Sequence, residues 1–82
     1  MKNITVLFFA TLRDRAGIGS IKMEIPSGTT VANLRVILGE KFLSFQGLAN
    51  HSLVAVNSEY VFDDFEVPGG AEVALFPAVS GG

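Results

Sequence analysis

The sequence contains no cysteine. Disulfides, thiol catalysis by this chain and zinc sites built on thiolates are thereby excluded. Charge is also scarce, at 17% of residues against roughly 25% in an average domain. The six Lys and Arg are scattered, and the formal net charge is −2. Such a chain offers phosphate no basic face, so no nucleic-acid partner is expected. The apolar run at residues 4–10 is short and soon followed by Arg13-Asp14-Arg15, unlike a signal peptide. It falls far below the roughly 20 residues that span a bilayer. The expectation is a soluble, cytoplasmic protein with no membrane partner.

What is present is apolar. The 82 residues suit one domain and leave no room for a second. A domain of this size buries only about 60% of its unfolded surface, so it needs a rich core. With 49% hydrophobic residues and seven Phe, the chain has one. We read the surplus both as a core large for the length and as apolar surface kept for a partner.

Ile4-Thr5-Val6-Leu7-Phe8-Phe9-Ala10 is β-branched and aromatic, the composition of a central strand. Residues 13–19, polar with two glycines, suit a hairpin connection. Ile21, Met23 and Ile25 then alternate with Lys22 and Glu24, as in a half-buried strand. Pro26-Ser27-Gly28 ends it. Thr29-Thr30 offers an N-cap hydroxyl, and Val31, Leu34, Ile37, Leu38 and Phe42 recur at helical spacing. Residues 44–52 suit a loop with one irregular turn. Leu53-Val54-Ala55-Val56-Asn57 is a further strand, joined at Ser58-Glu59 to a short piece, Tyr60-Val61-Phe62. Val67-Pro68-Gly69-Gly70 is a turn and Glu72-Val73-Ala74-Leu75-Phe76 the last strand, stopped by Pro77. The order is β-β-α-β-β-β. A hairpin, one main helix and further strands form an α+β mixed sheet with the helix across one face, the β-grasp or ubiquitin-like fold. The domain is expected over residues 1–77, with a tail at 78–82.

No internal catalytic set is visible. His51, the only histidine, stands between Asn50 and Ser52 without partners at a useful spacing and reads as an exposed loop residue. Asp63-Asp64 with Glu66 lacks the glycine-organised loop of a cation site and reads as a solvated turn. None of the glycines forms a phosphate-cradling motif ahead of a helix. The chain is not expected to act as an enzyme by itself.

The tail has two readings. Chain ends commonly fray, and Gly81-Gly82 fits such an end. Alternatively, their missing Cβ atoms let the tail thread a narrow channel, and six residues from Pro77 reach roughly 20 Å when extended. That would deliver the Gly82 carboxylate into another protein's active site. The residues alone leave both readings open.

Three segments resemble a known family, the small subunit of molybdopterin synthase, a ubiquitin-like sulfur carrier. They are Val6-Leu7-Phe8-Phe9-Ala10-Thr11-Leu12-Arg13 with Gly17, then Val54-Ala55-Val56-Asn57 with Tyr60-Val61, then Glu72-Val73-Ala74-Leu75-Phe76-Pro77 with Val79-Ser80-Gly81-Gly82. The match spans essentially the whole chain in order. Where the family commonly has Gly-Asp-Glu and two tail prolines, this chain has Gly70-Ala71-Glu72 and Pro77-Ala78. Neither change removes the reactive group.

The resemblance implies a cycle. An E1-like adenylyltransferase uses ATP to adenylate Gly82, and a persulfide-type donor replaces AMP to leave a thiocarboxylate. The tail then enters the large catalytic subunit and gives its sulfur to cyclic pyranopterin monophosphate. Gly82 carries the sulfur and Gly81 gives access. No cofactor is bound permanently, since nucleotide enters through the activating partner. The assembly implied is a heterotetramer of two small and two large subunits. The resemblance also places partner contacts at Phe9, Arg13, Tyr60, Phe76, Pro77, Val79 and Ser80.

Alternation puts Val6 and Phe8 on one face of the first strand, and Leu7 and Phe9 on the other. Val73 and Leu75 likewise oppose Ala74 and Phe76. With the first set under the helix, Phe9 and Phe76 face away from it, with Tyr60 near their edge and Arg13 as a rim charge. They form a docking patch or merely cover the sheet. The rival functions are a carrier for thiazole synthesis, a protein modifier, and a non-covalent binding module with an incidental tail. The first lacks the Leu-Phe-Phe-Ala…Leu-Arg opening, the second leaves conjugates, and the third survives loss of Gly81-Gly82.

Overall fold

A strict alternation of buried and more exposed side chains runs through the first strand, β1 (Lys2–Phe8), where Ile4, Val6 and Phe8 are buried. The computed structural model describes residues 1–45 and 47–78. β1 pairs antiparallel with β2 (Ser20–Ile25) on one side and parallel with β5 (Glu72–Phe76) on the other. β5 pairs antiparallel with β3 (Leu53–Val56), which pairs with the two-residue β4 (Glu59–Tyr60). The mixed sheet therefore runs β2-β1-β5-β3-β4, and the expected α+β ubiquitin-like β-grasp is the fold.

Residues 10–16 differ from the expectation. A short helix, α1 (Ala10–Ala16), takes the end of the expected strand at Ala10 and the first part of the expected hairpin connection at 13–19. Strand gives way to helix abruptly at Ala10, whose φ is 50°. Leu12 anchors the helix by full burial, and Gly17 ends it in the left-handed conformation at φ 78°, donating its N–H to the Arg13 carbonyl at 3.0 Å. Two turns carry too little hydrophobic periodicity to announce a helix, so only Gly17 signalled it.

The main helix, α2 (Val31–Lys41), starts where the Thr-Thr pair predicts. The Thr30 side chain accepts from the Asn33 N–H at 3.3 Å, and the Asn33 side chain accepts from the Thr30 N–H at 3.2 Å. Two otherwise orphaned donors are thus satisfied reciprocally. The Val31 and Ala32 N–H groups reach the carbonyls of Phe65 and Asp63, so the segment after β4 supports the helix start. Val31, Leu34 and Leu38 pack onto the sheet, meeting Ile4, Val6, Val54, Val56, Val73 and Leu75. An aromatic knot closes one end of this core. Phe8 meets Phe42 and Phe45 edge-on at 5.3 and 5.5 Å, while Phe42 and Phe45 stack at 5.0 Å.

Two short 3₁₀ turns, Leu43–Phe45 and Leu48–His51, occupy the region expected to be a loop with one irregular turn. The β3–β4 connection comes one residue earlier than expected. Asn57 and Ser58, at φ 50° and 73°, are its two central residues, and Glu59 already belongs to β4. Two successive left-handed residues make the mirror-type turn whose twist suits a tight hairpin. Among the described residues, no helix is long and apolar enough to cross a membrane.

Candidate functional site

The sheet has one face covered by α2 and, among the described residues, one without a helix. Register decides what the second face carries. Leu7, Ala74, Ala55 and Tyr60 form one row across four strands, and Phe76 opposite Leu53 belongs to the next. The Phe9 N–H donates to the Leu75 carbonyl at 3.3 Å, extending β1's pairing past its last residue. Phe9 thereby comes beside Phe76, and their rings stack at 4.6 Å, 11° from parallel. Tyr60 approaches Phe76 at 6.2 Å between centroids. A shallow hollow of about 310 Å³ lies among Leu7, Phe9, Tyr60 and Phe76.

The structure therefore brings Phe9, Tyr60 and Phe76 together on the face opposite the helix, as alternation predicts. Tyr60 is 71% exposed and Phe9 40%, while the small side chain of Ala55 is buried between strands. Pro77 follows Phe76 directly and is half-buried. Arg13 stands one helical turn from Phe9, its N–H donating to the Phe9 carbonyl at 3.4 Å. Its guanidinium lies over Gly19, where an added Cβ would meet Nε at 3.4 Å. It lines a separate crease with Asp14, Gly17 and Ile18. Val79, Ser80, Gly81 and Gly82, the other site residues named from the sequence, lie outside the described residues.

Two residues extend the apolar surface beyond those named. Leu53, 48% exposed, shares the open face with Phe76, and Phe62, 86% exposed, lies just past β4. Together with Tyr60 they border a groove of about 780 Å³ beside the aromatic hollow. The same alternation, applied to β3, puts Leu53 on the face of Ala55, which the register places here, so that residue was within reach of the sequence. Phe62 had no such signal, since β4 ends before it.

Asp63 is engaged rather than free. Its carboxylate accepts from Arg35 Nε at 2.9 Å, while Arg35 Nη1 donates to the Ala49 and Ser52 carbonyls at 2.8 and 2.7 Å. This arginine, which sequence reasoning did not single out, clips α2 to the turn before β3 and to the segment after β4. His51 is exposed at the end of its 3₁₀ turn. Among the described residues, no three His, Asp or Glu side chains converge as a metal site would require. The arrangement suits docking: a flat aromatic face beside the strand that leads to the glycine tail.

Comparison with known proteins identifies relatives across nearly the whole chain. The model of the ThiS family matches residues 6–82. The molybdopterin synthase sulfur carrier subunit of Arabidopsis thaliana is 34% identical over 79 residues, covering 96% of this chain and 82% of that protein. A putative molybdopterin converting factor subunit 1 from Pyrococcus furiosus superimposes with a TM-score of 0.85 at 28% identity, over 96% of this chain and 100% of that one. SAMP1 from Haloferax volcanii superimposes with a TM-score of 0.82 at 26% identity, over 98% and 99%.

Proposed function

The chain belongs to the ThiS family, and from that premise we propose that it is the sulfur carrier subunit of a molybdopterin synthase. The observation that carries the reading is the stacked Phe9–Phe76 pair on the sheet face opposite α2, at the end of β5, the last strand before Gly81-Gly82 in the sequence. The kinship with a plant sulfur carrier subunit, at 34% identity across nearly the whole chain, supports it.

The chemistry follows from what a carboxylate lacks. It is a poor electrophile, so Gly82 is activated as an acyl adenylate by an E1-like partner that consumes ATP. Attack of a partner's persulfide on the adenylate expels AMP and leaves an acyl disulfide. A second thiol of the partner then cleaves the S–S bond, becoming a disulfide and releasing the thiocarboxylate, a soft nucleophile. The aromatic face docks on the large subunit, and the glycines, lacking Cβ atoms, pass into its active site. There the sulfur is transferred to cyclic pyranopterin monophosphate. This chain contributes the sulfur atom and the docking surface, while the partners contribute the catalytic side chains. The working complex is a heterotetramer of two carriers and two large subunits in the cytoplasm.

The test is an intact mass of the protein isolated from its host, followed by reconstitution. A mass shift equal to one oxygen replaced by sulfur, and molybdopterin formed on adding large subunit and pyranopterin, are the expected results. A carboxylate that never gains sulfur in the presence of the activating enzyme defeats the proposal. The likeness to SAMP1, one of the small archaeal modifier proteins, favours protein modification as a second reading. Higher-mass conjugates on an anti-tag blot, abolished by deleting Gly82, distinguish it.

A further inference from the structure

β2 is an open edge of the sheet. It pairs with β1 on one side, and among the described residues no strand lies on the other. The Phe8 N–H donates to the Gly19 carbonyl at 2.8 Å, which sets the alternation of the ladder. Residues 21, 23 and 25 turn their backbone groups toward β1, so those of Ser20, Lys22 and Glu24 point outward. Among the described residues, none of these outward groups is paired. The side chains divide in the same rhythm. Ile21, Met23 and Ile25 lie on the helix side, while Lys22 and Glu24 are exposed on the other face without an ion-pair partner among the described residues.

This pattern is complementary to itself. A second copy of β2, laid antiparallel along the edge, can be centred on Ile21, Lys22, Met23 or Glu24 if outward groups are to meet outward groups. Centring on Ile21 overlaps the two copies over only residues 20–22, whereas centring on Met23 overlaps residues 21–25. Centring on Lys22 or on Glu24 sets identical charges directly opposite each other, which is unfavourable. Centring on Met23 sets Lys22 opposite Glu24 of the second copy, and Glu24 opposite its Lys22. Those are also the residues whose backbone groups are free, so each pair exchanges both backbone hydrogen bonds. On the helix side the same register sets Ile21 opposite Ile25, with Met23 on the twofold axis.

We propose that the free chain pairs with itself through β2, as a twofold antiparallel dimer centred on Met23. A twofold interface uses the same surface on both copies and closes on itself, so association stops at two. At the far edge, β4 has only two residues, too short to propagate a sheet. The pairing adds a strand beside β2 and leaves Phe9, Tyr60 and Phe76 uncovered. It stands independently of the sulfur-carrier reading.

Sedimentation of the full chain from about 10 µM to about 1 mM tests the proposal, since a single strand pair falls at the weak end of interface sizes. The average mass is expected to rise toward twice the monomer, with backbone amide shifts on dilution confined to residues 20–25. Lys22→Glu and Glu24→Lys should each weaken association about tenfold or more by creating like-charge pairs. The double reversal Lys22→Glu/Glu24→Lys restores opposite charges and should recover association to within about threefold of the original. Lys22→Pro removes an outward N–H without touching the ladder to β1 and should abolish pairing. Circular dichroism checks that every variant is folded. A monomer at all concentrations, a dimer indifferent to the single reversals, or a double reversal that fails to recover overturns the proposal. So does a monomer whose β2 amides shift only when an unrelated extended peptide is added, because the edge then serves a foreign strand.

Discussion

Phe9 and Phe76 stack with ring centroids 4.6 Å apart and planes 11° from parallel, although they come from opposite ends of the chain. The parallel pairing of β1 with β5 makes this meeting possible. Phe9 follows the last residue of β1 and Phe76 ends β5, so the stacked pair stands where β5 gives way to Pro77. An aromatic pair of this kind contributes about 0.5–1.5 kcal/mol beyond its buried area. That is enough to hold both rings in one orientation before any partner arrives.

Truncating the pair should therefore affect binding more than folding. Phe9→Ala and Phe76→Ala remove aromatic surface of the type that dominates interface energetics, and each should cost about 2 kcal/mol of affinity for the large subunit. Neither residue belongs to the buried core cluster, so loss of stability should stay near about 1 kcal/mol. Calorimetric titration and urea unfolding measure the two effects separately. A protein that loses stability while its folded fraction binds normally would show that the rings only cover the sheet.

Arg35 should behave in the opposite way. Its side chain is 14% exposed and serves the carbonyls of Ala49 and Ser52. Arg35→Ala leaves those acceptors without their donor and should destabilise the fold by about 2–4 kcal/mol. Asp63→Ala should cost under about 1 kcal/mol, because the Asp63 side chain is 62% exposed and its pairing is screened. Urea midpoints rank the two variants, and equal losses would mean that the ion pair, not the carbonyl contacts, is what matters.

Ser58→Gly should stabilise the protein. Ser58 sits at φ 73° as the second central residue of the β3–β4 turn, and the substitution would follow Asn57 with glycine, the Asn-Gly order such turns favour. Relief of the left-handed penalty, offset by the greater entropy of glycine in the unfolded chain, leaves a gain of about 0.5 kcal/mol. A thermal melt reads it, and an unchanged or lower midpoint would show that the serine carries no backbone strain. Asn57 is the less replaceable neighbour, because its side chain also accepts from the Glu72 N–H at 3.0 Å.

The strands and main helix were legible because their periods are long enough to repeat. Ile21, Met23 and Ile25 announce a half-buried strand, and the stripe from Val31 to Phe42 announces α2. The aromatic face was legible for the same reason, since alternation assigns Leu7 and Phe9 to one side and Val6 and Phe8 to the other. What escaped depends on contacts that periodicity does not encode. The helix Ala10–Ala16 is two turns anchored by Leu12, and the role of Arg35 exists only once residues 49, 52 and 63 converge on it. The side-chain position of Arg13 was beyond reach too, because its guanidinium follows the space that Gly19 leaves open.

Removing Gly81-Gly82 separates carrier from scaffold most cleanly. Among the described residues the last member of the core is Leu75, and Phe76 ends β5; Gly81-Gly82 follow in sequence five and six residues after Phe76. Their deletion should change unfolding stability by less than about 0.5 kcal/mol. Binding to the large subunit should persist in part, because the face formed by Phe9, Tyr60 and Phe76 is unaltered. Adenylation and sulfur loading should nonetheless vanish, since the new terminal residue, Ser80, stops short of the activating site. Combining the deletion with Phe9→Ala should then remove the residual binding as well. The sulfur-carrier reading fails if the shortened chain still supports molybdopterin formation with large subunit, activating enzyme and pyranopterin.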